Sequence, residues 1–198
     1  MREQHARISL LLCAIVITTV NGQNSATKKE DDLVLVDGPN FVLPSRVGPF
    51  NRGDAQLVDK NAYDFAFSYD LDHWIKCEIA AHPAGTRGYG SDLKTELQLQ
   101  QNAISRANRD VKLVSREPAG VTQDDRAVAG LRATYNLQYS LFANRNLDCG
   151  LQLYVFRDGP WFVVYRFFYP RSKSADAVKQ IASFLASWQW RQIPRHIP

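Results

Sequence analysis

The chain has 198 residues, 45% of them apolar and 11% aromatic, which is enough for one domain with a real core and too apolar for a disordered chain. Its formal net charge of +4 is too small to demand a nucleic-acid partner, and none is expected.

The first residues bear on compartment. Arg2 and Arg7 flank a short charged start, residues 8–20 carry no charge, and polar Asn21, Gly22 and Gln23 follow. This is the layout of a secretory signal, with Val20 and Gly22 at the −3 and −1 positions for cleavage after Gly22. The alternative is an uncleaved anchor, but a helix of that length spans only ~20 Å of a ~30 Å hydrocarbon core. A lipid anchor is disfavoured because Cys13 follows Leu12 and lies inside the apolar run. Residues 1–22 are therefore expected to be a signal peptide, 23–32 a flexible leader, and 33–198 one domain with no stable membrane anchor. Loss of residues 1–22 removes two arginines and one glutamate, leaving 22 basic and 19 acidic residues and a net charge of +3.

Order is expected from Leu33. Two short strands flank the turn pair Asp37-Gly38, and a second turn near Gly48 leads into another strand. Residues 61–70 alternate, with Tyr63, Phe65, Phe67 and Tyr69 on one face. Residues 71–74 turn the chain, and the return strand puts Ile75, Cys77 and Ile79 inward and Lys76 and Glu78 outward. Pro83, Gly85, Gly88 and Gly90 mark a loop. Ser91-Asp92 opens a helix running to about Asn108, with Leu93, Leu97 and Ile104 as a thin apolar stripe against a Gln-rich face. Residues 111–118 read as a short strand and residues 127–143 as a long alternating one. Residues 149–157 return after a turn. Residues 161–169 are apolar on both faces, as in a central strand covered on two sides. A last helix begins near Ser174 with Val178, Ile181, Leu185 and Trp188 at helical spacing, and Pro194 bars its continuation. Strands, helix, meander and helix in this order predict an α+β domain, an antiparallel twisted sheet with helices packed on it.

Signal removal leaves Cys77 and Cys149. An even count in an exported protein predicts one disulfide, worth up to roughly 4 kcal/mol for so long a loop. Two buried free thiols are the alternative, since both cysteines alternate with apolar neighbours.

The segments FVLPSRVGPFNR and WIKCEIAAHPAG, the helix after Ser91, DGPWFVVYRFFYP and a terminal helix closing on Trp188 and Trp190 together resemble small exported bacterial proteins with a PsbP-like (Mog-like) fold. The likeness covers nearly the whole mature chain. It implies a sheet flanked by helices and a binding or accessory role, and it carries no catalytic residue across. Where such proteins have a Lys in the middle of the WFV-x-YR strand, this chain has Val164, so any ligand contact of that Lys is missing here.

Few residues point to chemistry. Asp70, Asp72 and His73 form the densest polar cluster and are the candidates for a divalent metal or an acid–base pair. Their spacing matches no ligand motif, and they sit in a turn, where Asp is common. His82 lies nine residues beyond His73, ~30 Å away along a strand. No serine has an elbow context, and the glycines of AGTRGYG lack the following Lys-Ser/Thr of a phosphate loop. Arg166, among aromatics, is either an anion-binding group in a pocket or half of a structural ion pair. Trp190 falls off the helix stripe; exposed beside Arg191, it would be a contact point for a partner. From Arg157 onward seven basic residues face two acids, which favours an anionic surface or partner. The expectation is a non-enzymatic binding or accessory protein of the cell envelope, periplasmic or extracellular, without cofactor. Its partner would be a protein or a small ligand, met through the sheet face or the loop at residues 83–90. The alternatives are a metal-dependent exported hydrolase and an inhibitor or immunity-type protein binding a secreted partner.

Overall fold

The computed structural model describes residues 33–36, 41–59, 64–86, 88–141 and 146–190. The expected signal peptide and leader, Tyr63 and Arg191 lie outside them. Among the described residues ten strands, two α-helices and a short 3-10 turn (Arg171–Lys173) before the second helix follow in the order β1 (Leu33–Val36), β2 (Phe41–Pro44), β3 (Arg46–Val47), β4 (Phe50–Asp59), β5 (Asp64–Leu71), β6 (Ile75–Pro83), α1 (Leu93–Ala107), β7 (Arg109–Gln123), β8 (Arg126–Ser140), β9 (Asn146–Asp158), β10 (Trp161–Pro170) and α2 (Ser174–Ser187). Eight strands make one antiparallel sheet in the order β3-β4-β5-β6-β10-β9-β8-β7, and β1 and β2 form a separate ribbon. The fold is the expected α+β arrangement.

Period-2 alternation sends each strand's residues to two faces. On one face Phe67, Tyr69, Ile75, Cys77, Ile79, Tyr165 and Phe167 form a core with α2, Trp188 and Trp190. On the other, Tyr135, Leu137, Cys149, Leu151, Leu153, Val164 and Phe168 pack under Leu97 and Ile104 of α1. Strand β10 sits between β6 and β9 with a helix layer on each side, which is why its sequence is apolar at both parities.

Cys77 and Cys149 are both buried free thiols, so the expected disulfide is absent. Cys77 pairs in register with Phe167 on one side of β10, and Cys149 with Pro170 on its other side. Two strand spacings across and three residues along β10 put them roughly 14 Å apart, beyond the ~7 Å that a disulfide can bridge. Their side chains also enter opposite cores. Burial raises both thiols, Cys149 to about 11, with Asp148 adding to the shift there.

The short strand expected at residues 111–118 extends to Gln123 and returns through Asp124 and Asp125, whose φ values of 48° and 60° make a two-residue hairpin turn. Pro118 and Gly120 read as breakers, yet β7 is the sheet's edge, where a proline's missing N–H costs no ladder bond. In α2 the buried stripe is Ala177, Ile181 and Phe184, continued by Trp188 just past the helix end. Val178, expected inward, is 46% exposed.

Beyond α2 the chain is held on two sides. The Val42 amide donates to the Trp190 carbonyl at 3.1 Å, and Trp188 Nε1 donates to the Val42 carbonyl at 3.1 Å. From the far hairpin, the fully buried Gln123 donates to the Trp188 carbonyl at 3.0 Å and accepts from the Trp190 amide at 2.9 Å. Trp190, expected to be exposed, is buried at 1%, and its Nε1 donates to Asp158 at 3.0 Å. A ring buried this deeply offers no surface contact.

Candidate functional site

Helix α1 starts where Asp92 caps it, accepting from the amides of Lys94 and Thr95 at 2.9 and 3.0 Å. The face it turns to the sheet is half polar: Glu96, Leu97, Gln100, Gln101 and Ile104 are all buried. Those positions follow i, i+1, i+4, i+5 and i+8 spacing, one helical face. The side chains opposite come from one parity of β6 and β10, so Lys76, Glu78, His82 and Arg166 share the α1 side of the sheet.

A hydrogen-bonded chain runs through this layer. His82 Nε2 meets Glu96 Oε1 at 3.1 Å, with both side chains 1% exposed or less. The Gly90 amide donates to Glu96 Oε2 at 2.8 Å, and Gln100 Nε2 donates to Oε1. Burial by itself would raise Glu96, but the hydrogen bonds from His82, Gln100 and Gly90 and the His82 charge outweigh it and hold the carboxyl below its ordinary value. Gln100 Oε1 accepts from Arg166, whose other guanidinium nitrogen lies 4.0 Å from Glu78. Glu78 in turn accepts from Lys76 at 2.7 Å and Tyr139 at 3.5 Å. Burial, reinforced by Glu78, pushes the Tyr139 hydroxyl up to about 12. Lys76 and Glu78, expected outward, are thus half-buried members of this layer.

The loop after β6 closes over the histidine. Tyr89 stacks on His82 with ring centroids 3.8 Å apart and 19° between planes. Gly90 must lack a side chain: a Cβ there would stand 2.4 Å from the Glu96 amide nitrogen.

Two hollows flank α1. The larger, about 680 Å³, lies at its C-terminal end between Asn108, Arg109, Gln138 and Asn146. The smaller, about 330 Å³, opens between the first half of α1 and the β7–β8 hairpin, lined by Lys94, Leu97, Gln98, Gln101, Arg116, Glu117, Pro118 and Leu131, with Glu117 ion-paired to Arg132 at 2.8 Å. Here the interior is unfinished. Gln101 is 5% exposed, and its amide makes no hydrogen bond of good geometry, its near polar neighbour being the Tyr135 hydroxyl. The buried Tyr135 hydroxyl is also without one. It lies near enough to Gln101 and Arg116 for both to lower its pKa, though burial leaves it raised overall.

The expected metal candidates lie elsewhere. Asp72 and His73, at φ 44° and 56°, are the two central residues of the β5–β6 turn, and His73 Nδ1 is 4.0 Å from Asp70 with an 83% exposed side chain. His82 is near the other end of β6, buried under α1. Among the described residues no three His, Cys, Asp or Glu side chains gather closely enough to hold a metal ion. Arg166 is engaged inside the protein by Gln100 and Glu78.

Sequence reasoning missed Glu96, Gln100 and Gln101, because Glu and Gln between sparse leucines read as a solvent face. The available signal was the thinness of the stripe. A helix of 15 residues with three inward apolar positions must bury polar ones beside them.

No family model matches the sequence, and no curated protein sequence matches it. Among solved structures, the chain is similar to cyanobacterial PsbP (CyanoP) from Synechocystis, with 11% identity, 85% of this chain and 98% of that chain covered, and a TM-score of 0.48. It is also similar to a protein of unknown function from Pseudomonas aeruginosa, with 13% identity, 76% and 100% coverage, and a TM-score of 0.38. Among the described residues no helix is long and apolar enough to cross a membrane.

Proposed function

We propose that this chain is a non-enzymatic binding protein that is exported from the cytoplasm and holds a small ligand between α1 and the β7–β8 hairpin. One observation carries the reading: a hollow of about 330 Å³ opens between α1 and the β7–β8 hairpin, and behind its wall the amide of Gln101 is buried beside the Tyr135 hydroxyl with neither group in a hydrogen bond of good geometry. Leaving a buried polar group poorly paired costs about 1–3 kcal/mol, a cost that is recovered if a bound ligand shifts the wall and brings Gln101 and Tyr135 into register. Apolar Leu97, Pro118 and Leu131 beside it give the mixed lining typical of small-molecule sites. The export half of the reading rests on residues 1–22, with their charged start, uncharged core and small exit residues.

Two measurements test it. Protein made with its own N-terminus should be recovered from the envelope fraction with the mass of a chain beginning at Gln23; full-length mass in the cytoplasm would refute export. A small-molecule extract of the envelope should raise the melting temperature of the wild type and leave Leu131→Trp, whose indole fills the hollow, unmoved. An equal rise in both proteins would place binding elsewhere, and no rise in either would remove the ligand.

A further inference from the structure

The ring of His82 is 1% exposed and lies between Tyr89, stacked at 3.8 Å, and Phe162 at 6.0 Å. Its two nitrogens are in unequal positions. Nε2 faces Glu96 at 3.1 Å, while Nδ1 is buried without a hydrogen-bond partner. An ionised carboxylate only accepts, and Glu96 is held ionised below the ordinary carboxylate value. The neutral ring therefore carries its hydrogen on Nε2 and leaves Nδ1 bare. A second proton creates a charged N–H at Nδ1, where the closed structure offers no acceptor.

The cover over the ring is slight. It is the turn between β6 and α1, held by the Gly85 amide on the Gly90 carbonyl at 2.7 Å, the Tyr89 amide on the Thr86 carbonyl at 3.0 Å and the Gly90 amide on Glu96 at 2.8 Å. Among the described residues, the charged and titratable groups around the ring are few. From α1 comes Glu96, with Arg166 of β10 behind Gln100; from the turn comes Tyr89; from β9 comes Arg157, which lies 5.8 Å over the Phe162 ring and donates to the Ser91 carbonyl. The two arginines oppose a further cation. Glu96 favours it whether the turn is shut or open, and the stacked Tyr89 ring attracts it only weakly. What separates the two states is the unmet Nδ1–H, which opening delivers to water. The protonated ring thus shifts the balance toward an open turn.

We propose that the Tyr89–Gly90 turn is an acid-operated latch, shut over neutral His82 and released when the ring takes its second proton at Nδ1, which uncovers the His82–Glu96 pair. The latch is separate from the hollow beside β7 and needs no ligand there.

The test is amide hydrogen exchange and NMR on the whole mature protein between pH 8 and 5, with exchange expressed as protection factors to remove its intrinsic pH dependence. Protection at Gly85, Tyr89 and Gly90 should fall about tenfold, the change expected when one buried donor goes unmet. The fall should share its midpoint with the titration of the His82 ring signals, while the amides of Leu153 and Tyr165 in the central strands keep their protection. His82→Gln, whose amide still donates to Glu96 but takes no proton, should lose the fall. Turn protection that stays constant while the ring titrates, a ring that stays neutral to pH 5, a fall at a different midpoint, or an equal fall in the central strands would overturn the latch. So would a fall that persists in His82→Gln. Should that variant not fold, the two midpoints in the wild type decide alone.

Discussion

Glu96 carries more of the α1 interface than any other single polar residue. Its two oxygens collect His82, Gln100 and the Gly90 amide, so one carboxylate joins a strand, a loop and a helix. Its lowered pKa makes that junction dependent on pH. A carboxyl whose folded value lies below its unfolded one, ordinarily ~4.3, stabilises fully above that value and loses the contribution as pH falls through the folded value. In Glu96→Gln an amide NH₂ would face donors, at a cost of about 2 kcal/mol near neutrality. The expected result, from melting temperatures between pH 3 and 5, is a wild-type advantage over the variant that shrinks as pH falls below about 4. An advantage that stays constant to pH 3 would mean that the charge on Glu96 contributes nothing to stability.

At the scale of elements, the two helices are attached by different means. Helix α2 is held by aromatic packing: the Phe184 ring meets Phe50 at 4.8 Å, Tyr69 at 5.4 Å and Phe167 at 5.5 Å between centroids. Phe184→Ala should cost about 3–5 kcal/mol in denaturant unfolding, whereas Val178→Ala, on the open side, should stay within about 0.5 kcal/mol. A large loss at Val178 would restore the stripe read from sequence. The apolar runs of β5, β6 and β10 were legible because alternation leaves little freedom in which face is buried, and α1 was legible through its Asp92 cap. The second face of α1 was not, since Gln100 and Gln101 are polar by composition, and Gln100 is buried through a partner, Arg166, on a distant strand. The length of β7 was hidden by Pro118, because a sequence does not say which strand will lie at an edge. The disulfide failed for a related reason: nothing local to Cys77 or Cys149 indicates that β10 will lie between them.

At the scale of the molecule, Trp188 and Trp190 close the fold by joining the β2 ribbon to the tip of the β7–β8 hairpin. A chain ending at Ser187 loses two indoles that are 2% and 1% exposed and leaves Gln123, at 0%, buried without partners. It should show no cooperative thermal transition by circular dichroism, while Trp188→Phe should keep one at a lower temperature. A truncated chain melting like the full one would make the closure dispensable. The closure also has a kinetic side. Val42 waits for a partner 146 residues later in the chain, which at ~5–20 residues per second is roughly 7–30 s of synthesis. Through that interval the β2 ribbon has no seat and the α2-side core has no lid, so the nascent chain has little reason to settle early. The last contacts of the ribbon and of the α2-side core therefore wait for Trp188 and Trp190, so packing that spans the length of the domain is completed late in synthesis.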